Sequence, residues 1–209
     1  FAPIPNLGLT PQTLVVSPSE SYKTVKEFVA AAKQKPGTIN FASLGSGSTS
    51  HLTTEMFAAI AGIKLNHVPF KGSADAHTQI IGGQVPMMFD AIPATLPHIK
   101  SGRLRGLGIA TLKRSAFLPD LPTIAESGYA GFEAVGWIGI AAPAKTPGPV
   151  LDKLNAEMVR ILSEADVKEK LNTLAFTPVG DTREQFAAYI KSEIAKWGKA
   201  VRDSGAKAD

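Results

Sequence analysis

The 209-residue chain contains no cysteine. Disulfides, thiolate nucleophiles, cysteine-bound zinc and iron–sulfur clusters are therefore excluded together. No apolar run approaches the roughly 20 residues of a membrane-spanning helix, so direct membrane insertion is not expected. Charged residues make up only 19% of the chain against 44% hydrophobic ones, the opposite of the balance that keeps a chain disordered. The charge excess is also small. The 22 Lys and Arg face 18 Asp and Glu, and the net +4 is shared equally between residues 1–100 and 101–209. No basic run with interleaved aromatics occurs, and no nucleic-acid partner is expected. The four histidines, His51, His67, His77 and His98, form neither His-x-His nor His-Glu-x-x-His. Neither a metal nor a cofactor is expected from them.

What is present is punctuation. Nineteen glycines and 15 prolines fall mostly between periodic segments, so they mark element ends. The chain starts at Phe1 without an initiator Met, and Pro3, Pro5, Gly8 and Pro11 read as a turn-rich entry, the start of a cut or mature chain. Thr13–Val16 then reads as a strand. Thr24 and Glu27 have capping-box spacing ahead of Val25, Phe28, Val29 and Ala32, which share one helical face. The unit recurs in type. Strand 39–42 leads through a Gly/Ser loop into a helix with Leu52, Met56, Ala59 and Ile60 expected inward. Strand 65–69 leads into a helix ending at Gly82, and strand 85–89 into a short helix, with strand 104–110 closing the series. Successive parallel strands joined by helices predict an α/β sheet with helices on both faces, and ligands of such sheets sit beyond the carboxyl ends of the strands. After Trp137 a strand over 138–142 precedes three amphipathic helices. The first carries Leu151, Leu154, Met158, Ile161 and Leu162 on one face. The last is capped by Thr182 and Gln185, with Phe186, Ile190, Trp197 and Val201 inward and Lys191, Glu193, Lys196 and Lys199 opposite. So much apolar helix face exceeds what the few strands of this region can cover, so a partner segment is expected to be missing.

Three strand-end loops carry the chemistry. Ser43–Ser50, with Ser46, Gly47, Ser48, Thr49 and Ser50, offers unpaired N–H groups, hydroxyls and a helix N-terminus, the components of an anion site. A flexible loop with an ordinary Ser cap fits the same residues. The Gly-Lys-Ser/Thr ending of a phosphate loop is absent, as is the third glycine of a dinucleotide fingerprint and any Gly-x-Ser-x-Gly elbow. Phe70, Lys71, Gly72 and Ser73 form the second loop, with Lys71 either an anion contact or a solvated surface residue. Asp90 ends the next strand, suited to a ligand amine or hydroxyl, or to capping the following helix. His51 and Glu55 read as an i, i+4 surface pair. A hydrolytic set of Ser48, His51 and Asp90 is disfavoured, since neighbours in a helix first turn are poorly aimed for proton transfer. Core packing and a hinge or cleft position are both open for Trp137.

An ordered series of short motifs is more specific than any one of them. It runs through Gly45-Ser-Gly-Ser with His51-Leu52 and Glu55, Val68-Pro-Phe-Lys-Gly72, Ile81-Gly-Gly-Gln84, Met87-Met-Phe-Asp90 and Leu96-Pro-His-Ile-Lys-Ser-Gly-Arg-Leu-Arg105. It continues through Leu118-Pro-Asp-Leu-Pro-Thr123 with Glu126-Ser-Gly128, then Trp137-Ile-Gly and Ala142-Pro-Ala-Lys-Thr-Pro147. In this order and spacing the chain resembles the Bug family, the TctC-type periplasmic substrate-binding proteins of tripartite tricarboxylate transporters, without their usual N-terminal segment. The resemblance implies a periplasmic-binding-protein-like two-lobed α/β fold of type II-like form. Residues 14–136 would be the complete second lobe, and 1–13 with 137–209 the hinge strands and the C-terminal part of a partial first lobe. It implies a periplasmic, non-catalytic receptor that captures a small carboxylate (a dicarboxylate, an aromatic acid or an amino acid) and delivers it to the transporter's membrane components. The ligand-binding residues carried over are Ser46 to Ser50, Phe70 to Ser73 and Asp90, with hinges at Val15 and Trp137. A small α/β enzyme acting on an anionic substrate is the alternative. An assembled form in which another copy covers the spare helix faces is a third.

Overall fold

Strand β1 runs unbroken from Ala2 to Val16. The expected turn-rich entry is thus extended chain. Proline's fixed φ suits an extended strand wherever no ladder N–H is required. Gly8 serves close approach, because a Cβ there would strike the Phe176 ring. After β1 come α1 (Val25–Gln34), β2 (Asn40–Ser43), α2 (Thr49–Ala61), β3 (Asn66–Pro69), α3 (Ser73–Ile81), β4 (Met87–Ala91), α4 (Ile92–Lys100) and β5 (Arg105–Ile109). A long connection then leads to β6 (Val135–Ala142), α5 (Gly148–Ser163), α6 (Ala165–Thr173), β7 (Thr177–Pro178) and α7 (Arg183–Ser204). The computed structural model describes residues 1–206; the last three residues of the expected 137–209 segment lie outside it. Two compact units divide the chain, one of residues 1–10 and 136–199, the other of residues 11–135 with the chain from Ala200 on.

The larger unit holds a sheet in the order β3-β2-β4-β1-β5. Strand β2 is parallel to β3 and β4, but β1 is antiparallel to both β4 and β5. The all-parallel expectation is corrected here. Alternation of strand and helix fixes direction only when the helix alone makes the crossover, and between β1 and α1 lie eight further residues, 17–24. Arg105 holds that loop, its guanidinium donating to the carbonyls of Glu20 (2.8 Å), Pro18 (3.1 Å) and Tyr22 (3.2 Å).

Both sheet faces are covered. Val15, Ala42 and Met88 meet Ala76 and Ile80 of α3, with Ile99 of α4 beside them. On the other face Phe57 of α2 packs edge-on to Phe89 and Phe132 and stacks with Phe28 of α1. The Thr24 cap forms as its spacing predicts, Oγ1 accepting from the Glu27 N–H at 3.2 Å. Helix α2 is rotated from the expected face. Ser50, Thr53, Thr54, Phe57, Ala58 and Ala61 are buried while Ile60 is half exposed. The hydroxyls tolerate burial where the helix supplies acceptors, as Thr54 Oγ1 does by donating to Ser50 O at 2.8 Å.

In the smaller unit β7 pairs antiparallel with β1 at Gly8 and Leu9. Thr182 and Gln185 cap α7 reciprocally, each side chain accepting the other's N–H. Phe186 is buried, and Trp137 stands edge-on to it with ring centroids 5.5 Å apart. Glu193, expected on the charged face, is buried instead, accepting from Trp197 Nε1 at 2.7 Å and from Lys196 Nζ at 3.3 Å. Of the apolar face expected on α5 only Leu151 is buried and Leu154 and Ile161 are exposed, as are Leu174 at the end of α6 and Ile194 of α7.

Candidate functional site

Because β2, β3 and β4 are parallel neighbours, the chain leaves all three at the same end of the sheet. The loops 44–48 and 70–72 and the end of β4 at Asp90 are therefore brought together by topology. The antiparallel course of β1 brings one further group to this end. Thr13 is paired with Asp90 in the ladder, fully buried, and its Oγ1 has no hydrogen-bond partner.

The 44–50 loop is tightly self-bonded. Gly45 and Gly47 have φ of +109° and +76°, backbone that favours glycine. Ser48 caps α2, accepting from the His51 N–H at 3.3 Å and donating to Gly45 O at 2.7 Å. Ser50 Oγ takes the Leu44 N–H at 2.9 Å, Ser43 Oγ takes the Gly45 N–H at 3.1 Å, and His51 Nδ1 takes the Gly47 N–H at 3.0 Å. The N–H groups of Ser46, Thr49 and Ser50 find no acceptor among the described residues. Those three N–H groups, with the Ser46 and Thr49 hydroxyls and the helix dipole behind them, are what the loop can still offer to an anion.

His51 is not half of a surface pair. It is 6% exposed, its Nε2 stands 3.8 Å from Glu55 Oε1, and its ring lies parallel to that of His67 with centroids 3.9 Å apart. Phe41 stacks on both rings, and His67 Nε2 meets Ser43 Oγ at 2.5 Å. Burial pushes the His51 imidazole below its ordinary value and the Glu55 carboxyl above its own. Sequence reasoning missed this support; the signal was a histidine three residues after the capping serine, within reach of the loop it follows.

Phe70 is partly buried against the α3 side of the core, whereas Lys71 is exposed. With Gly45, Pro69, Asp75, Thr78 and Gln79 they line an open hollow of about 690 Å³. Gly72 precedes α3 and Ser73 begins it. Asp90 is 2% exposed. Its Oδ1 accepts the Ala91 N–H at 2.8 Å, and Oδ2 lies 3.0 Å from His77 Nε2, out of line for a hydrogen bond. The capping alternative for Asp90 is corrected, since α4 starts from Ala91 without a side-chain cap. Ser48, His51 and Asp90 do not assemble as a set: the first two serve the loop and Asp90 pairs with His77. Val15 belongs to the core of the larger unit, and the chain first crosses between units at residues 10–11, not at Val15; Trp137 lies just past the second crossing at 135–136.

The family model of the tripartite tricarboxylate transporter family receptor, TctC, matches residues 1–206. The chain belongs to the TctC family. A UPF0065 protein from the tcbD-tcbE intergenic region of Pseudomonas sp. strain P51 is 37% identical over 96% of this TctC chain, which spans 60% of that relative's length. Among solved structures, R. palustris Rpa4515 with adipate superposes with a TM-score of 0.91 at 32% identity, over 99% of this chain and 69% of that one. MatC from Rhodopseudomonas palustris with bound malate gives 0.87 at 30% identity, over 96% and 69%. The mixed α/β fold of this TctC chain matches that of the periplasmic binding protein BugD, with a TM-score of 0.88 at 32% identity over 100% of this chain and 71% of that one. Among the described residues no helix is long and apolar enough to cross a membrane, and no group of three or more potential metal ligands occurs.

Proposed function

We propose that this chain is the ligand-capturing part of a periplasmic solute receptor that takes up a small carboxylate and hands it to the membrane components of a tripartite tricarboxylate transporter. In this reading residues 14–136 form the lobe that carries the described loops. One observation carries the proposal: a chain of a receptor family places, at one end of a sheet, a helix N-terminus with unclaimed neutral donors beside two further strand-end loops. Two relatives whose structures hold adipate and malate point to the same ligand class. A carboxylate would accept from the N–H groups of Ser46, Thr49 and Ser50 and from the hydroxyls of Ser46 and Thr49. Gly47 and Ser48 would hold the loop's shape. Phe70, Lys71, Gly72 and Ser73 would border the ligand, and Asp90, through the oxygen that lacks an aligned partner, would meet a ligand hydroxyl or amine. Trp137, beside the second crossing, is the proposed hinge residue.

Calorimetric titration of the full-length protein with a panel of dicarboxylates, aromatic acids and amino acids tests this. Saturable binding without turnover is the expected result. Each charge-assisted hydrogen bond lost in Ser46→Ala/Thr49→Ala costs about 1.5–3 kcal/mol, so the double variant binds at least tenfold more weakly. Product formation, or unchanged affinity in the double variant, would overturn the reading.

A further inference from the structure

Gly47 donates its N–H to His51 Nδ1 at 3.0 Å. The bond requires a lone pair on Nδ1, so the neutral ring carries its proton on Nε2, on the side of Glu55. Protonation of Nδ1 would set two donors face to face and break the bond. The elements packed around the ring bring two titratable groups: His67 of β3, stacked at 3.9 Å, and Glu55 of α2, whose Oε1 is 3.8 Å from Nε2. Phe41 of β2 contributes an apolar face. A second imidazole in parallel contact opposes a charge on His51, and Glu55 favours one once the ring is free to turn toward it.

We propose that His51 is a proton-sensitive positioning residue: neutral, it locks the Gly47 turn and so the shape of the 44–50 loop; protonated, it releases Gly47 and loosens the loop. His51 touches no ligand in this scheme. Burial favours the neutral ring in the locked state. The sign follows from that. The locked loop holds a histidine whose pKa lies below that of the released loop, so locking is complete above about pH 6.5 and is lost as pH falls below it. The ligand arm of the proposal rests on the carboxylate reading above, whereas the loop arm stands without it.

The test follows the Gly47 amide and the His51 ring by NMR in the ligand-free, full-length protein from pH 8 to 4.5. The Gly47 amide is expected to shift with the midpoint of His51. In His51→Asn, whose Oδ1 replaces Nδ1 as acceptor without titrating, the amide should hold its neutral-pH position throughout. A Gly47 amide indifferent to His51 ionisation overturns the proposal, even where carboxylates bind. With adipate as probe, the affinity of wild type relative to His51→Asn should fall by about threefold or more between pH 7.5 and 5.5. The probe's own titration is common to both proteins and cancels in the ratio. A flat ratio with measurable binding overturns the link between loop and site; absence of binding by either protein at any pH defeats adipate as a ligand and leaves the amide titration to decide the switch.

Discussion

His77 Nε2 and Asp90 Oδ2 lie 3.0 Å apart in the larger unit, with the two residues 3% and 2% exposed. The Ala91 N–H bonds the other carboxylate oxygen, and Oδ2 has the imidazole against it without an aligned hydrogen bond. Removing one member of a buried pair strands the other without solvent, so His77→Leu is expected to destabilise the protein by about 3 kcal/mol. Replacing Asp90 by Leu as well removes the stranded group and should restore at least about 1 kcal/mol of that loss. Urea unfolding of wild type and the two variants measures both. A single variant within about 0.5 kcal/mol of wild type would show that the contact has no structural weight.

Gly139 and Phe186 define a second tight relationship, inside the smaller unit. A Cβ on Gly139 would overlap the Phe186 ring, which is itself buried. Gly139→Ala must therefore displace the ring that also packs edge-on to Trp137. Overpacking of this kind costs about 1–3 kcal/mol. Phe186→Leu, introduced in the Gly139→Ala background, makes room and should cost less than it does alone. Thermal melts of the four proteins give the coupling directly; strict additivity would show that the ring yields without strain.

What the sequence disclosed was local, and what it concealed was set by tertiary context. The caps at Thr24 and Thr182 are satisfied within three residues, so spacing alone reveals them. The three strand-end loops were legible because Gly and Ser clusters mark where strands stop. The direction of β1 was not, because it depends on the path of residues 17–24 and on Arg105, more than 80 positions away. Thr13 therefore came to the Asp90 end of the sheet unannounced. The burial of His51 and Glu193 was hidden for a related reason: each side chain accepts from a donor, the Gly47 N–H for one and Trp197 Nε1 for the other, that hydrophobic periodicity does not register. The same rule points Ile60 inward, whereas the helix buries Thr54, whose hydroxyl it satisfies with Ser50 O, and Thr53, whose Oγ1 has no partner among the described residues.

Thr123 and Glu126 form a reciprocal box in the connection between β5 and β6. The Glu126 carboxylate accepts the Thr123 N–H at 2.7 Å, Thr123 Oγ1 accepts the Glu126 N–H at 2.9 Å, and Arg114 Nε reaches the same carboxylate at 3.0 Å. First the Thr123 N–H and then the Arg114 guanidinium hold the Glu126 carboxyl below the usual carboxylate range. A carboxyl lowered in the folded state contributes stability that is complete above its unfolded value, about pH 4.5, and is lost as pH falls through the folded value. Glu126→Gln keeps an acceptor for Thr123 but not the charge, so it imitates the protonated side chain at every pH. The melting-temperature gap between wild type and Glu126→Gln should accordingly be largest near pH 6 and close as the pH approaches 3. A gap that stays constant across that range would mean that the charge of Glu126 contributes nothing to holding this turn.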